Sequence, residues 1–300
     1  MYELIIIGAG PAGITAAIYA VRKRISTLVI TRDIGGQTAL SGEVENYTGY
    51  QFISGPELAM KFEEHLRKFD IALKEGEEVR QIGKINEAVQ VRTDKGLYEG
   101  RAVIIASGKR SRELGVGGEK EFKNRGLTYC ATCDAPIFAG KDVAVIGGGN
   151  SALDAAIQLI RIARKVYIIN AAGKLTGDPL MQDVVLQSEK VTVFNSAQVS
   201  VILGEKMVSA IKIKKDGVEE DLSVQGIFVE IGLIPNSEFA SGVEKNRYGE
   251  IKVNPYNETN IPGIFAAGDV TDVPEKQIVI AAGEGSKAAL SVFKYLIHRS

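Results

Sequence analysis

The two cysteines of this chain, Cys130 and Cys133, are separated by two residues and are the only cysteines in its 300 residues. This spacing brings two sulfur atoms close enough to form a small disulfide ring with little backbone movement. The thiolate is the species that attacks disulfides, and we expect it to be favoured if the second cysteine begins a helix. Asp134 follows directly, and a carboxyl beside a dithiol can move the proton that thiol–disulfide exchange requires. The segment is therefore a candidate redox centre with Cys130, Cys133 and Asp134 as its catalytic residues.

The cysteine pair has two other interpretations. Zinc sites use four ligands, usually from two such pairs or from one pair with histidines. The chain has no second pair, and His65 and His298 lie far from the cysteines and from each other in the sequence, so we expect no metal site. A buried, inert pair is the other alternative, and the nucleotide-binding patterns on either side of the pair argue against it.

Composition excludes several classes of function. The formal net charge is −1, which favours neither nucleic acid nor a membrane surface as a partner. No apolar run approaches the length of a transmembrane helix, and the N-terminus runs straight into a buried-strand pattern without a signal peptide. We therefore expect a cytoplasmic protein of two domains, in a compartment where a cysteine pair is more often catalytic than structural.

A dinucleotide-binding pattern begins at the N-terminus. Its strand, glycine turn, helix and second strand are predicted at residues 4–7, 8–13, 14–21 and 26–30. In this context Gly8 allows the tight turn, Gly10 lets the backbone approach a pyrophosphate, and Gly13 lets the helix pack closely on the strand. The pyrophosphate is then expected at the helix N-terminus. An acidic residue is usual at the end of the second strand, where this chain has Thr31.

The same pattern occurs a second time, after the cysteines. Its strand, glycine turn (Gly-Gly-Gly-Asn-Ser-Ala), helix and second strand are predicted at residues 142–146, 147–152, 153–162 and 165–169. Two dinucleotide folds in one chain imply two bound dinucleotides.

The C-terminal part is predicted to return to the first fold. Residues 264–269 form a strand pattern that ends in Gly268 and Asp269, and residues 277–296 form a helical pattern. Asp269 is placed to accept hydrogen bonds from a polyol chain, and the helix start can offer N–H groups to an electron-rich ring edge. The alternative for Gly268 and Asp269 is a plain turn.

The predicted fold class is α/β, with two Rossmann-like dinucleotide-binding domains of three layers (ββα), the second inserted into the first. The predicted bounds are residues 1–112 with 244–300 for an FAD-binding domain, and 113–243 for an NAD(P)H-binding domain that carries the cysteines. A dithiol exchanges electrons with disulfides and a nicotinamide donates hydride, so a flavin is the usual intermediary. The expected route is from nicotinamide to flavin, to the cysteine pair and then to an external disulfide.

The chain resembles the low-molecular-weight thioredoxin reductase family over nearly its whole length. It is also similar to the reductase portion of the alkyl hydroperoxide reductase flavoprotein, most clearly over residues 226–285. The shared stretches are residues 8–13, 35–37, 44–47, 130–134, 147–152 and 268–269. The second relative has an additional N-terminal dithiol domain that this sequence lacks, so we expect a free thioredoxin-like or glutaredoxin-like protein as partner.

The resemblance implies a homodimer, FAD in the first domain and a domain rotation about residues 109–118 and 240–246. It implies that Cys133 faces the flavin, that Cys130 attacks the partner disulfide, and that Asp134 donates and accepts the proton. The implied FAD-binding residues are Gly8, Gly10, Pro11, Ala12, Gly13, Gly36, Gln37, Asn46, Gly108, Gly268, Asp269, Gln277 and Ile278. The implied NAD(P)H-binding residues are Gly147, Gly149, Asn150, Ser151, Ala152 and Asn170.

The sequence departs from NADPH-dependent members of that family after the second strand of the second fold. Those members carry a basic cluster for the 2′-phosphate, whereas residues 170–174 here contain no arginine and only Lys174 as a cation. A dianionic phosphate without arginine partners is poorly held. Asn170 is also not the acidic residue that usually prefers NADH. The hypothesis is that NADPH is not strongly preferred, with NADH, both coenzymes, or another donor such as reduced ferredoxin or a deazaflavin as alternatives.

The sequence leaves three functions open. The first is FAD-dependent reduction of a thioredoxin-like protein disulfide. The second is a related enzyme that feeds a peroxiredoxin system. The third is a flavoprotein whose dithiol is not reduced by a nicotinamide at all.

Overall fold

The structure is a computed structural model of the chain. It describes residues 1–298 except Gly42 and Glu45, and for Glu43, Thr132 and Cys133 it describes the backbone only.

The chain forms two compact units, residues 1–110 with 234–300 and residues 111–233. The second boundary lies ten residues before the predicted one at 243/244. The reason is that Ala240 and Val243 are buried in the core of the first unit, together with β-strand residues from its sheet. Segment 234–243 therefore belongs to the first unit and not to the inserted one.

The secondary-structure elements include both predicted patterns of strand, glycine turn, helix and strand, in the predicted order. The strands, in chain order, are β1 Tyr2–Ala9, β2 Thr27–Ile34, β3 Glu43–Val44, β4 Ile53–Ser54, β5 Ala72–Glu75, β6 Val79–Ile85, β7 Ala88–Thr93, β8 Leu97–Ile105, β9 Lys109–Ser111, β10 Leu127–Thr128, β11 Asp142–Ile146, β12 Lys165–Asn170, β13 Val191–Asn195, β14 Ala197–Gly204, β15 Val208–Lys215, β16 Val218–Ser223, β17 Gly226–Val229, β18 Leu233–Pro235 and β19 Ile264–Ala266. The α-helices are α1 Pro11–Arg22, α2 Gly55–Arg67, α3 Glu119–Phe122, α4 Ala131–Asp134, α5 Asn150–Ile160, α6 Pro179–Leu186 and α7 Ile278–Ile297. Short 3-10 helices span Gly36–Leu40, Ala135–Phe138 and Gly268–Val270.

The first unit is built on a mixed sheet in the order β5-β2-β1-β8-β7-β6. Strands β5, β2, β1 and β8 are parallel, and β19 pairs with the C-terminal half of β8. The side chains of β1 alternate between two cores, as a strand buried on both faces requires. Leu4 and Ile6 pack with α1 and α7, whereas Ile5 and Ile7 pack with residues from β6 and β7.

The second unit repeats this plan. Its parallel sheet has the order β10-β17-β11-β12-β13, and β14, β15 and β16 form a separate antiparallel sheet. Val143 and Val145 of β11 face the core that contains α5. Ala144 and Ile146 face the core beneath the antiparallel sheet. Each parallel sheet therefore lies between a helical layer and a β layer, which confirms the predicted α/β class.

The chain passes between the units at β9 and β18, and these two strands pair with each other. Asn236 donates its backbone N–H to the carbonyl of Gly108 at 2.9 Å, which extends the pairing into the first unit. In the described part of the chain, no helix has both the length and the apolar character needed to cross a lipid bilayer.

Candidate functional site

The glycine turn between β1 and α1 combines two tightly packed glycines with one open glycine. Gly8 has φ +103°, and a Cβ there would lie 2.4 Å from the carbonyl oxygen of Ala106. A Cβ on Gly13 would lie 1.9 Å from the carbonyl oxygen of Gly8, whereas no described atom lies within 4 Å of a Cβ on Gly10. Gly10 is also the N-cap of α1, and no described side chain caps that helix. The first N–H groups of α1 therefore border open space that suits a pyrophosphate.

Several predicted residues converge on this turn. Gly36, at φ +54°, approaches Gly10 so closely that its Cβ would lie 3.4 Å from the Cα of Gly10. A Cβ on Gly268 would lie 2.9 Å from the Cβ of Ala12, the residue after Pro11. Backbone from three separate parts of the chain thus meets at the start of α1.

Two side-chain amides join the loops around this place. Nε2 of Gln37 donates to the carbonyl of Lys109 at 3.1 Å, and Lys109 is the residue that follows Gly108. Asn46 donates from Nδ2 to Oε1 of Gln277 at 3.1 Å, and Gln277 is the N-cap of α7, just before Ile278. Glu45, in the 44–47 motif, lies outside the described residues.

The carboxylate of Asp269 is largely buried, and burial raises its pKa while the charges of Lys276 and Lys109 lower it. Among the described residues, none donates a hydrogen bond to this carboxylate. A buried carboxylate that lacks protein donors is suited to accept hydrogen bonds from the hydroxyls of a bound polyol.

A cluster of charges beside Asp269 was not predicted from the sequence. Lys109 Nζ lies 2.7 Å from Oε1 of Glu250, and Lys276 Nζ lies 3.5 Å from the same oxygen. Asn246 donates to the other oxygen of Glu250 at 2.6 Å. Burial raises the pKa of Glu250, but the hydrogen bonds from Lys109 and Asn246 and the two lysine charges lower it below its ordinary value.

Thr31 occupies the position where an acidic residue is usual. Its Oγ1 accepts the N–H of Ala9 at 3.1 Å and donates to the carbonyl of Asp33 at 2.5 Å. Thr31 therefore holds the glycine turn to the end of β2.

The features of the first unit together fit FAD. The start of α1 has room and N–H groups for the pyrophosphate. Asp269 offers a largely buried carboxylate that accepts no hydrogen bond from the described residues and suits the polyol. The start of α7, which no described side chain caps, offers N–H groups to a ring edge.

The cysteine segment lies in the second unit, after β10. Cys130 is disulfide-bonded, and the side chain of Cys133 lies outside the described residues. Helix α4 begins at Ala131, so Cys133 is the third residue of the helix and the condition that the second cysteine begins a helix is not met. Cys130 is the residue that immediately precedes the helix.

Asp134 is held beside Cys130 by a threonine. The hydroxyl of Thr128 donates to Oδ2 of Asp134. The same hydroxyl oxygen accepts the backbone N–H of Cys130 at 3.1 Å. Asp134 in turn donates its own N–H to the carbonyl of Cys130 at 3.2 Å. The structure therefore brings Cys130 and Asp134 together, with Thr128 between them.

Glu230 approaches the same helix from the end of β17. Its carboxylate accepts a hydrogen bond from the N–H of Ala131. Burial raises its pKa to about 7, the hydrogen bond from Ala131 opposes that rise, and the charge of Asp154 adds to it. A carboxyl that changes charge near neutral pH thus lies next to the cysteine segment.

Tyr129, directly before Cys130, is anchored by Glu119. Its hydroxyl donates to Oε1 of Glu119 at 2.8 Å, and burial together with this carboxylate raises its pKa. Glu119 also accepts the N–H groups of Leu114 and Gly115 at 2.6 and 2.7 Å. One buried carboxylate therefore joins the residue before Cys130 to the segment at Leu114 and Gly115.

The second glycine turn resembles the first in its packing. Gly147 has φ +139°, and a Cβ there would lie 2.3 Å from the carbonyl oxygen of Glu230. No described atom lies within 4 Å of a Cβ on Gly149, which is the N-cap of α5, and no described side chain caps that helix. The start of α5, where Asn150, Ser151 and Ala152 follow, therefore also borders space for a pyrophosphate.

Two predicted coenzyme residues are engaged within the protein. Oδ1 of Asn150 accepts the N–H of Asp178 at 2.7 Å. Asn170 is buried, and its Nδ2 donates to Oδ1 of Asn195 at 2.8 Å and to the carbonyl of Ala172 at 3.1 Å. A Cβ on Gly148 would lie 2.4 Å from Oδ1 of Asn170. Asn170 thus supports the glycine turn and the loop that follows β12.

Comparison with known proteins identifies the family of the chain. Residues 2–285 match the model of a family described as pyridine nucleotide-disulphide oxidoreductase. The chain belongs to this family. Members of the family are flavoproteins that use FAD and a pyridine nucleotide.

Two relatives and two solved structures give more detail about the family membership. The chain is 43% identical over 307 residues to an alkyl hydroperoxide reductase component of Pseudomonas aeruginosa, and 41% identical over 300 residues to an NADH dehydrogenase of Bacillus subtilis. These matches cover 100% and 99% of the chain, which spans 59% of the length of each relative. The thioredoxin reductase of Lactococcus lactis is 36% identical with a TM-score of 0.84, covering 99% of this chain and 100% of that one. The thioredoxin reductase of T. acidophilum is 37% identical with a TM-score of 0.81, covering 100% of this chain and 99% of that one.

Sequence reasoning missed the residues that support this pyridine nucleotide-disulphide oxidoreductase site. Thr128 lies two residues before Cys130 and six residues before Asp134. This spacing is only a weak signal for the contact between Thr128 and Asp134. Glu230 carried a clearer signal, since it is a charged residue at the end of the buried strand pattern 226–232. Lys109 and Glu250 are 141 residues apart, and nothing in the sequence pattern pairs them.

Proposed function

We propose that the chain is an FAD-dependent disulfide reductase of the thioredoxin reductase type. Electrons pass from NAD(P)H through FAD to the disulfide of Cys130 and Cys133, and then to the disulfide of a thioredoxin-like protein. The observation that carries this proposal is the disulfide-bonded Cys130 with the carboxyl of Asp134 hydrogen-bonded into the same turn. The homodimer and the domain rotation that the resemblance implies stay predictions.

The first unit is assigned to FAD. Bound FAD supplies the two-electron chemistry that links hydride transfer from a nicotinamide to thiol chemistry. Gly10 and the start of α1 would hold the pyrophosphate, and Asp269 would accept hydrogen bonds from the ribityl hydroxyls. The N-terminus of α7, at Gln277 and Ile278, would offer N–H groups to the electron-rich edge of the ring.

The second unit is assigned to the nicotinamide coenzyme and the exchange chemistry. In the reduced protein Asp134 takes the proton of the Cys130 thiol, the Cys130 thiolate attacks the partner disulfide and forms a mixed disulfide, and Asp134 returns the proton to the partner thiolate that leaves. The thiolate of Cys133 then attacks Cys130, which restores the intramolecular disulfide and releases the second partner thiol. The cysteine pair loses two electrons and two protons, and the partner disulfide gains the same two electrons and two protons as it becomes a dithiol.

NADH is proposed as at least an equal donor to NADPH. Residues 171–173 (Ala-Ala-Gly) are exposed and uncharged, so Lys174 is the one cation in the loop that follows β12. Asn170 is committed to Asn195 and Ala172 and contributes no charge. A loop of this composition offers little to hold a 2′-phosphate.

A second function is favoured by the relatives named as alkyl hydroperoxide reductase components. In that case the reduced cysteine pair passes its electrons to a carrier that serves a peroxiredoxin. The chemistry at Cys130 is unchanged, and the partner is different. Parallel turnover assays with a thioredoxin and with a peroxiredoxin system discriminate between the two.

The donor is tested by stopped-flow absorbance of the flavin-loaded protein mixed with NADH or with NADPH. Bleaching with NADH at a rate at least equal to that with NADPH is expected. Fast, tight reduction by NADPH alone contradicts the coenzyme assignment. Flavin binding without bleaching by either coenzyme points to another donor, such as ferredoxin. A protein that binds no FAD after purification and refolding with FAD contradicts the whole proposal.

The thiol roles are tested by trapping. The Cys133→Ser variant retains Cys130 and is expected to form a stable mixed disulfide with the true partner, because no second thiol is present to resolve it. The matched Cys130→Ser variant is expected to trap the partner poorly. Equal trapping by both variants, read by mass spectrometry, contradicts the assigned order of attack.

A further inference from the structure

We propose that Thr128 is a positioning residue for disulfide exchange, because its hydroxyl fixes the carboxyl of Asp134 against the turn that carries Cys130. This inference rests on the proposed function in one respect, which is that Asp134 moves the proton. Neither the glycine turns nor the cysteine motif contains Thr128, and it acts through Asp134 and not on a substrate.

The contacts form a closed ring around the cysteine turn. Thr128 Oγ1 accepts the N–H of Cys130 at 3.1 Å, and its hydroxyl hydrogen is donated to Oδ2 of Asp134. The ring closes through the N–H of Asp134, which donates to the carbonyl of Cys130 at 3.2 Å. One side-chain hydroxyl thus sets both the backbone of the first cysteine and the orientation of the carboxyl.

Thr128 is itself held rigidly. It is the last residue of β10 and lies opposite Phe228 of β17 in a parallel pair. Phe228 is fully buried, and Thr128 is 6% exposed. A β-branched side chain on a strand has few accessible χ1 rotamers. The position of its hydroxyl is therefore set by the sheet.

The arrangement decides which oxygen of Asp134 handles the proton. Because Oδ2 accepts from Thr128, we assign the proton transfer to Oδ1. In the exchange step Oδ1 takes the proton of the Cys130 thiol, the resulting thiolate forms a bond to one partner sulfur, the partner S–S bond breaks, and Oδ1 returns the same proton to the sulfur that leaves. Without the Thr128 hydroxyl, the carboxyl loses the hydrogen bond that orients it, and this transfer loses its geometry.

The role of a proton donor depends on the leaving group. Glutathione leaves as a weakly acidic thiol and benefits from protonation, whereas the thionitrobenzoate released from 5,5′-dithiobis(2-nitrobenzoic acid) is a far more acidic thiol and leaves readily as an anion. A defect in Asp134 positioning should therefore slow exchange with oxidised glutathione and leave exchange with the nitrobenzoate reagent nearly unchanged. A general disturbance of the cysteine turn slows both reactions.

The experiment uses the full-length holoprotein, reduced with dithiothreitol and desalted, and mixed at pH 7 with each disulfide. Thr128→Val removes the hydroxyl at nearly constant shape, and Thr128→Ser keeps it. We expect Thr128→Val to lower the rate with oxidised glutathione about tenfold, as a part of the 10²–10⁴-fold typical of acid–base catalysis. Its rate with the nitrobenzoate reagent should stay within about twofold, and Thr128→Ser should restore both rates to within about twofold of the wild type.

A double-mutant cycle with Asp134→Asn tests whether the effect passes through Asp134. If it does, Thr128→Val adds no further loss in the Asp134→Asn background. An additive loss, an unchanged rate in Thr128→Val, or equal slowing with both disulfides overturns the proposal. None of these reactions needs a nicotinamide or a thioredoxin. A wild-type protein that fails to reduce thioredoxin but gives the expected cycle therefore contradicts the proposed function and not this inference.

Discussion

The carboxylate of Glu230 accepts a hydrogen bond from the backbone N–H of Ala131, the residue that follows Cys130. Thr128 accepts the preceding N–H, that of Cys130. Thr128 ends β10 and Glu230 directly follows β17, and these strands are paired neighbours in the parallel sheet. The start of α4 is thus held at the carboxyl ends of two adjacent strands, β10 and β17. The hydroxyl of Thr128 and the carboxylate of Glu230 hold it there.

Glu230 should make the stability of the protein depend on pH. Its pKa is raised from 4.5 to about 7 in the folded state, so the folded state binds this proton more tightly than the unfolded state. The free energy of unfolding should therefore fall as pH rises from 4.5 through about 7, by up to about 3 kcal/mol. Glu230→Gln stays neutral and can still accept from Ala131. Urea denaturation should find the variant equal to the wild type near pH 4.5 and more stable by up to that amount at pH 8.

A control for Glu230 lies on the same unit. Glu220 is exposed on β16, and Glu220→Gln should change the free energy of unfolding by no more than about 0.5 kcal/mol at either pH. If Glu230→Gln is as stable as the wild type at pH 8, the carboxyl is not held in the buried, proton-retaining position that the structure gives it.

Alanine substitutions at the open glycines Gly10 and Gly149 should affect the two proposed nucleotide sites separately. Each has negative φ, −81° and −92°, and free space where a Cβ would stand, so alanine should fit the protein at a cost of about 1 kcal/mol or less. The added methyl group should instead occupy the place of a pyrophosphate. Gly10→Ala should lower FAD affinity at least about tenfold, and Gly149→Ala should raise the KM for the nicotinamide coenzyme by a similar factor with FAD content unchanged.

Each of these glycine variants is the control for the other, and Gly13→Ala is a control for packing. A Cβ on Gly13 would lie 1.9 Å from the carbonyl oxygen of Gly8, so this variant should be destabilised by about 3 kcal/mol whether or not FAD is present. Loss of FAD from Gly149→Ala, or unchanged FAD affinity in Gly10→Ala, contradicts the assignment of the two units. Flavin absorbance after gel filtration measures both.

The glycine turns were predictable because their signals are local. A buried apolar run, a glycine hexad and a helix occur within about 20 residues, and backbone sterics set the role of each glycine. Helix α6 was also locally marked, since Asp178 caps it by accepting the N–H of Leu180 at 2.8 Å and Pro179 starts it. That helix is nevertheless absent from our predictions, because its eight residues give too short an apolar pattern to separate it from a loop.

The supporting contacts of the site were not predictable for a different reason. Glu230 is about 100 residues from Ala131 in the sequence and reaches it only because β17 inserts between β10 and β11. The domain boundary depends in the same way on Ala240 and Val243, whose burial against the first unit is a tertiary property. Pairings of this kind follow from sheet order, which spacing along the chain does not specify.

An arginine placed after β12 should create a preference for NADPH. Ala172 is exposed, and its backbone is fixed by Asn170, which donates to its carbonyl and accepts its N–H at 3.1 and 3.2 Å. Ala172→Arg should offer a guanidinium fork to a 2′-phosphate and raise kcat/KM for NADPH about tenfold, with the value for NADH within about twofold. Ala172→Met, of similar length and without charge, is the control. Equal gains for both coenzymes, or a gain in the Met variant, would show that charge at this loop does not govern coenzyme choice.

Lys109 and its neighbour Arg110 allow a buried ion pair to be compared with an exposed one. Lys109 pairs with Glu250 at 2.7 Å with side chains 11% and 14% exposed, whereas Arg110 pairs with Glu238 at 2.5 Å with side chains 48% and 61% exposed. Lys109→Met should destabilise the protein by about 2 kcal/mol at pH 7, because among the described residues the Glu250 carboxylate then keeps only Lys276 and Asn246 as partners. Arg110→Met should cost about 0.5 kcal/mol or less.

The pH dependence of the Lys109 variant has the opposite sign to that of Glu230. The pKa of Glu250 is lowered in the folded state, so its contribution is present above the unfolded value near 4.5 and is lost as pH falls through the folded value. The difference between wild type and Lys109→Met should therefore shrink in acid. Asp269 should also become easier to protonate in this variant, since Lys109 is one of the two charges that lower its pKa. Denaturation curves at pH 4 and pH 7 measure the free energy of unfolding of Lys109→Met and Arg110→Met. If the two variants lose the same free energy of unfolding, the Lys109 and Glu250 pair does not have the proposed structural role.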